Sequence, residues 1–194
     1  MRRGHALLTL AGAGVGGAAW WRTHPSAMPY WQRAFVELPH PLITRRRLRQ
    51  ALAVPPGSRV LEIGPGTGYY SVPVAEWLGP TGRLELPRPR VQDARAHRRP
   101  RAQAQPQRTH RADESFDAAY VVMALGEIPD QEAVLRELAR VVRLGGRVVV
   151  GELALDVHVV LPAALARRAQ SAGLRVERRL GPWFGSFTVL AHAR

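Results

Sequence analysis

A glycine-stepped turn that directly follows a short apolar strand constrains this chain more than any other feature. The run VLEIGPGTG occupies residues 60–68. Glycine at alternate positions lets the backbone turn through conformations that are costly for other residues, and it removes the Cβ atoms that would keep a ligand away. Residues 69–78 predict the helix that should follow, with Pro73 near the first turn, where proline is tolerated. The run predicts a strand, a loop and a helix.

The spacing of the glycines separates two classes of nucleoside cofactor. A dinucleotide fingerprint reads G-x-G-x-x-G, whereas here Tyr69 stands where the last glycine would be needed. An acidic residue, Glu62, two places before the first glycine favours a cofactor with an amino group and no phosphate. The run could also be an ordinary strand, turn and helix. It resembles motif I of the class I S-adenosylmethionine-dependent methyltransferases. The resemblance implies S-adenosyl-L-methionine as the cofactor, bound through Glu62, Gly64, Pro65, Gly66 and Gly68.

Further segments follow in the order that this family requires. Residues 115–123 begin polar and continue as an apolar run, which is typical of a strand buried on both faces of a parallel sheet. They resemble the family's fourth strand, and the resemblance counts Met123 among the cofactor-binding residues. Residues 130–142 predict a helix capped by Asp130. The run 138–150 resembles the family's helix, double-glycine turn and fifth strand.

The last third of the chain closes the predicted fold. Residues 162–172 predict a helix, and residues 174–177 and 187–190 predict a pair of strands. Strands that alternate with helices predict the α/β class, and the resemblance implies a Rossmann-like open, mostly parallel sheet with an antiparallel C-terminal edge. Ligands of such sheets bind at the carboxyl ends of the strands. Residues 55–194 are expected to form one methyltransferase-like domain.

An arginine-rich and proline-rich run over residues 86–112 interrupts the resemblance. It has no hydrophobic period, and its eight arginines and one aspartate contribute +7 of the chain's +13 net charge. We expect a disordered insert that disrupts the second strand, the second helix and the third strand, with a coding-frame slip as its origin. A nucleic-acid-binding arm is the alternative, which the absence of aromatic residues in the run disfavours.

The interruption bears on cofactor affinity. In the family, an acidic residue at the end of the second strand accepts hydrogen bonds from the ribose hydroxyls. Glu85 is the candidate for this role, although the strand breaks off there. Loss of such a contact costs about 1.5–3 kcal/mol, so we expect weakened cofactor binding and doubtful activity.

The N-terminal part has a different character. Residues 1–24 form an apolar segment with arginines on both sides, for which a membrane-associated helix or short span, a signal-like segment and a helix docked on the protein are alternatives. Residues 25–54 predict leading helices, one of them running over 45–52 with Thr44 as its cap, and the resemblance implies that such helices cover the cofactor cleft. Within them, His40 lies between two prolines, where a rigid hinge is the alternative to a base. We expect a cytoplasmic protein, associated with a membrane through the apolar segment.

Candidates for chemistry on the acceptor lie after the fourth and fifth predicted strands. Asp156 and His158 are two residues apart, which places both on one side of an extended segment, where they could polarise an acceptor hydroxyl. Glu127 and Glu152 are further candidates, and polar loop groups without a catalytic role are the alternative. No third ligand at metal-binding spacing accompanies them, so no metal site is predicted. The absence of cysteine excludes disulfides and cysteine nucleophiles.

The resemblance implies methyl transfer from S-adenosylmethionine to a small-molecule acceptor. The nearest resemblance is to the group that includes the ubiquinone and menaquinone methyltransferases, and the apolar N terminus favours a lipophilic acceptor and a membrane surface as a partner. The alternative is a catalytically impaired remnant that acts as a membrane-associated or nucleic-acid-binding protein. The acceptor and the oligomeric state are left open.

Overall fold

A six-stranded sheet with helices on both faces forms the protein, whose computed structural model describes residues 41–87 and 111–193. The helices are α1 (Arg45–Leu52), α2 (Ser71–Leu78), α3 (Gln131–Val141) and α4 (Pro162–Ser171). The strands are β1 (Arg59–Ile63), β2 (Arg83–Glu85), β3 (Phe116–Val122), β4 (Val142–Leu153), β5 (Leu174–Leu180) and β6 (Gly185–His192), and one turn of 3₁₀ helix spans Leu125–Glu127.

The strand order is β2-β1-β3-β4-β6-β5. Strands β1 to β4 pair in parallel, whereas β6 is antiparallel to both β4 and β5. The predicted Rossmann-like sheet with an antiparallel C-terminal edge is thereby confirmed. Because β2 and β3 lie on opposite sides of β1, the strand order reverses there. The carboxyl ends of β1 and β3 consequently border the crevice in which sheets of this kind bind ligands.

Two helices begin at the caps that the sequence predicts. The Thr44 hydroxyl accepts a hydrogen bond from the N–H of Arg47 at 3.2 Å, and the Asp130 carboxylate accepts one from the N–H of Ala133 at 2.9 Å. Each cap satisfies one of the N–H groups that a helix leaves unpaired in its first turn. The helix predicted from residue 69 begins later, at Ser71, because the positive φ of Gly68 extends the turn.

The two faces of the sheet are buried by different helices. One core cluster, which contains Leu61, Phe116 and Val150, includes the apolar residues of α3 and α4. The other contains Val60, Tyr120 and Phe187 and includes the apolar residues of α1 and α2. Since successive side chains of a strand point to opposite faces, Glu62 lies on the α1 and α2 face, whereas Glu152 lies on the α3 and α4 face.

The interrupted region leaves a very short second strand. Strand β2 pairs only with residues 59–61 of β1 and ends there. The predicted insert over 86–112 falls for the most part outside the described residues, and so do the apolar segment 1–24 and His40. These assignments and the domain boundaries stay predictions. None of the helices within residues 41–87 and 111–193 has the length and apolar character needed to cross a bilayer.

Candidate functional site

The glycine loop after β1 has three residues in the left-handed region of backbone space. The φ angles are +68° at Gly64, +53° at Gly66 and +86° at Gly68. A Cβ atom at Gly64 would lie 2.6 Å from the Cβ atom of Ala124, so this glycine lets the loop pack against the residues that follow β3. A Cβ atom at Gly66 would meet nothing within 4 Å. The loop therefore presents bare backbone to open space at Gly66, beside the crevice.

Three buried polar side chains lie beneath this loop. Glu62 of β1 is only 3% exposed and stands opposite Tyr120 of β3 in the sheet register, while Ser71 is the first residue of α2. Burial raises the pKa of Glu62, and the neighbouring hydroxyls of Ser71 and Tyr120 oppose the shift in part. Burial, together with the nearby Glu62, also raises the pKa of Tyr120. The hydroxyls of Ser71 and Tyr120 therefore interact with the Glu62 carboxylate as one buried cluster, although Glu62 Oε2 has no well-aligned hydrogen bond.

A cationic ligand would complete this cluster. A buried polar group whose hydrogen bonds are incomplete costs about 1–3 kcal/mol, and more if it is charged, so a buried carboxylate with only two hydroxyls beside it is unusual for a purely structural element. An ammonium group can donate to a carboxylate and stabilise its ionised form. The residues present therefore fit the amino-acid end of an S-adenosyl cofactor at Glu62, with Gly64 and Gly66 providing the close backbone.

The end of β3 adds a strained residue to the same edge of the sheet. Met123 has a φ of +51°, which is uncommon for a residue with a side chain, and its N–H donates a hydrogen bond to the carbonyl oxygen of Gly151 at 2.9 Å. Such conformations cost about 1–3 kcal/mol and cluster at functional sites. Pro65 lies in the glycine loop at the same edge, and its carbonyl oxygen accepts a hydrogen bond from the N–H of Gly68 at 2.8 Å.

The segment after β4 packs directly on the turn after β3. A Cβ atom at Gly126 would lie 1.6 Å from the carbonyl oxygen of His158, so only glycine permits this approach. Asp156 accepts a hydrogen bond from the N–H of His158 at 2.8 Å, and burial raises the pKa of Asp156. The predicted pair Asp156 and His158 is thus adjacent to the 3₁₀ turn that contains Glu127.

Glu152 of β4, on the α3 and α4 face of the sheet, contacts the segment that follows β4. Its Oε2 atom accepts a hydrogen bond from the N–H of Val160 at 3.2 Å, while Oε1 is buried without a partner. Burial, with a smaller contribution from the charge of Asp156, raises the pKa of Glu152 to about 8. The carboxyl group therefore tethers residues 153–160 in a form that is mostly protonated at neutral pH.

Glu85 lies apart from these groups. The register pairs it with Leu61, two residues before β1 ends at the glycine loop. Its carboxylate forms ion pairs with Arg59 at 3.1 Å, Arg111 at 3.4 Å and Arg83 at 3.5 Å. Burial alone would raise the pKa of Glu85, but the hydrogen bonds from Arg59 and Arg111 hold this pKa below its usual range. Its role as the ribose acceptor stays a prediction.

Sequence reasoning missed two members of the buried cluster. Ser71 is the only residue of α2 with a hydroxyl group, and Tyr120 is the only one in the run 118–122 of β3. A polar residue inside a buried strand was the available signal for Tyr120. That Tyr120 is a neighbour of Glu62 becomes evident only when β1 and β3 are paired.

The sequence matches a family model described as a methyltransferase domain over residues 61–150. That range begins in β1 and ends in β4, so it contains the glycine loop, the cluster beneath it and the end of β3. Over this range, the predicted resemblance to the class I S-adenosylmethionine-dependent methyltransferases is confirmed.

Relatives and solved structures agree with this family. An O-methyltransferase, resE, of Aspergillus sclerotiorum is 32% identical over 71% of this chain and 57% of its own length. A demethylmenaquinone methyltransferase of Mycolicibacterium paratuberculosis is 28% identical over 77% of this chain and 65% of its own. The chain therefore spans about three fifths of the length of these relatives.

Two solved structures share the fold. An S-adenosylmethionine-dependent methyltransferase of Aquifex aeolicus superposes with a TM-score of 0.63 at 16% identity, covering 82% of this chain and 97% of its own. The trans-methyltransferase CalH, solved with its bound demethylated cofactor SAH, has a TM-score of 0.57 at 19% identity, covering 78% of this chain and 55% of its own.

Proposed function

We propose that this protein binds S-adenosylmethionine at the glycine loop and transfers its methyl group to a small, lipophilic acceptor. The observation that carries the proposal is the buried cluster beneath the loop, in which the Glu62 carboxylate lies beside the hydroxyls of Ser71 and Tyr120 while its Oε2 atom has no well-aligned hydrogen bond. The match to the methyltransferase family model and the relatives described above support it.

The cofactor supplies an electrophilic methyl group on its sulfonium when bound. Glu62 accepts hydrogen bonds from the amino group, and the backbone at Gly64, Gly66 and Gly68 lets the amino-acid portion approach closely. Pro65 and Met123 shape the adjacent wall. The protein contributes to the reaction by aligning the acceptor with the methyl group and by excluding water. Within residues 41–87 and 111–193, no group of three His, Asp or Glu side chains could hold a metal ion.

Asp156 and His158 form the acceptor side of the proposed site. Burial raises the pKa of Asp156, which brings a carboxylate closer to the range where it can accept a proton from an acceptor hydroxyl. Its contact with the N–H of His158 fixes the orientation of the carboxylate. We assign Asp156 the task of polarising the acceptor and His158 a positioning task, while Glu152 holds the segment that carries both.

The names of two relatives support the class of acceptor. One is called an O-methyltransferase and the other a demethylmenaquinone methyltransferase, so a hydroxyl-bearing or quinone-like small molecule is proposed. Glu85, the candidate for the ribose hydroxyls, already pairs with three arginines, which compete with the ribose for its carboxylate. We therefore propose that the affinity for the cofactor is lower, by about 1.5–3 kcal/mol, than in a site with that contact.

Calorimetric titration with S-adenosylhomocysteine tests the proposal. We expect measurable binding to the unaltered chain and a loss of at least about tenfold in Glu62→Gln, equivalent to about 1.4 kcal/mol, because an amide cannot carry the charge that the ammonium requires. The matched control is Glu76→Gln, an exposed position on α2, which should bind as the unaltered chain does.

Two outcomes would contradict this function. Equal affinity of Glu62→Gln and the unaltered chain would remove the buried cluster from cofactor binding. No binding of either cofactor form to the unaltered chain would favour the alternative, a methyltransferase-like remnant. Salt-dependent binding to RNA, measured on the same sample, would then support a nucleic-acid role for the basic run.

A further inference from the structure

We propose that an apolar tip, formed by the β5–β6 turn and the segment after β4, docks on a lipid bilayer that contains anionic headgroups. The apolar tip consists of Trp183 and Phe184 in the turn and Leu155 after β4, whose exposed fractions are 66%, 42% and 80%. The rings of Trp183 and Phe184 meet edge to face, with their centroids 5.6 Å apart. The N–H of Ala154 donates to the carbonyl oxygen of Phe184 at 2.8 Å, which brings Leu155 beside the aromatic pair.

The composition of the apolar tip favours a lipid surface as its partner. Tryptophan and phenylalanine combine a large apolar area with a preference for the boundary between water and hydrocarbon. Exposing them together with a leucine is costly in water unless a partner covers them. A backbone hydrogen bond joins the two segments that carry them, so the patch is presented as one surface.

Arginines border the apolar tip and supply charge complementarity to anionic lipid. Helix α1 begins with Arg45, Arg46 and Arg47 and contains no acidic residue. Its N terminus is next to the β5–β6 turn, because a Cβ atom at Gly181 would lie 3.3 Å from the Arg47 guanidinium, and the Arg47 side chain donates to the carbonyl oxygen of Leu42.

Strand β5 adds further positive charge on the other side of the turn. Arg178 and Arg179 are both exposed near the end of β5, and the Arg178 side chain also donates to the carbonyl oxygen of Gln50 at 2.9 Å. Within the described part of the chain, none of Arg46, Arg178 and Arg179 forms an ion pair with an acidic side chain. Basic side chains near an anionic membrane surface strengthen binding additively and in a salt-dependent manner.

The apolar tip lies at the same end of the sheet as the glycine loop. Leu155 follows the carboxyl end of β4, and Trp183 and Phe184 precede the start of β6, which pairs with that end of β4. Helix α1 connects this region to the glycine loop, because the Arg45 guanidinium stacks on the ring of Tyr69 at 4.2 Å. Docking at the apolar tip would thus turn the crevice toward the bilayer, from which an apolar molecule could enter. The inference concerns binding to lipid and does not require methyl transfer.

Sedimentation of the full chain with vesicles tests the docking surface. The vesicles contain equal parts of phosphatidylglycerol and phosphatidylcholine, and pure phosphatidylcholine vesicles serve for comparison. We expect the variant Leu155→Ser with Trp183→Ser to lose at least about tenfold in partitioning, because binding scales with buried apolar area. The matched control is Leu144→Ser, which is also 66% exposed but lies at the opposite, amino end of β4, and it should change partitioning less than twofold.

A second variant tests the charge. Arg46→Gln with Arg179→Gln should reduce the preference for phosphatidylglycerol and its salt dependence while the apolar contribution stays. Unchanged partitioning of the Leu155 and Trp183 variant would overturn the proposal, as would a failure of the unaltered chain to bind the anionic vesicles. A lipid-free shift of that variant to a smaller oligomer would assign the apolar tip to a contact between copies instead. The affinity for S-adenosylhomocysteine should be the same in every variant, so failure of docking is separable from failure of cofactor binding.

Discussion

Replacement of the buried Glu152 by glutamine should make the protein more stable at mildly alkaline pH. The side chain stands near the carboxyl end of β4, where Oε2 accepts a hydrogen bond from the N–H of Val160 and Oε1 has no partner. Burial raises the pKa of Glu152 from 4.5 to about 8. Glutamine has the same shape, can keep its oxygen toward Val160 and never carries the charge that burial penalises.

The raised pKa fixes the direction and size of the effect. A carboxyl group whose pKa is higher in the folded state than in the unfolded state contributes stability that is complete below pH 4.5 and is lost as the pH rises to about 8. Each pH unit in that window removes up to about 1.4 kcal/mol, and less close to either pKa, so the contribution falls by about 3–4 kcal/mol between about pH 5 and about pH 8. Glutamine removes this dependence, and the free energies of unfolding of the two proteins should diverge by that amount.

Urea denaturation at a series of pH values measures the divergence. The two unfolding free energies should differ least near pH 5, and the advantage of Glu152→Gln should increase steadily toward pH 8. Glu76→Gln, on the exposed face of α2, should follow the unaltered chain throughout. Parallel curves for Glu152→Gln and the unaltered chain would refute the reasoning, because they would mean that Glu152 keeps an ordinary pKa in the folded protein.

Two further perturbations probe the loop and the amino end of the sheet. Gly64→Ala should lower the melting temperature more than Gly66→Ala, because both alanines would adopt a positive φ but only the first would meet the Cβ atom of Ala124, at 2.6 Å; equal melting shifts would contradict this explanation. Asp117→Asn should cost about 1 kcal/mol at neutral pH. Burial alone would raise the pKa of Asp117, but a backbone N–H and the Arg143 guanidinium hold this pKa below 3.8. The stability that Asp117 contributes is therefore present above that pH and is lost as the pH falls. Acid denaturation with the same slope in both proteins would contradict this expectation.

Local chemistry explains why the order of elements was predictable. The alternation of strand and helix, the caps at Thr44 and Asp130 and the turn at Gly64 each depend on residues close together in the chain. The helix that was expected from residue 69 starts at Ser71 because boundary positions depend on how the loop packs, which spacing does not reveal. The same holds for β4, which begins at Val142, before the double glycine that was expected to precede it.

The candidate site was only partly predictable, because its members come from strands distant in sequence. Glu62 and the loop glycines belong to one run, so the sequence alone identifies them as candidates. The hydroxyl of Tyr120 is next to Glu62 only through the pairing of β1 with β3. The three arginines around Glu85 come from two strands and a loop, so their competition for its carboxylate could not be anticipated.

Residues close together in the sequence specified the glycine loop and the helix caps, since conformational preference and capping act within a few residues of a chain. Tertiary packing alone decided which polar atoms became buried without partners and which apolar side chains stayed exposed. Desolvation and screening depend on everything that surrounds a group. The raised pKa of Glu152 and the exposed apolar tip beside the crevice are therefore properties of the assembled sheet.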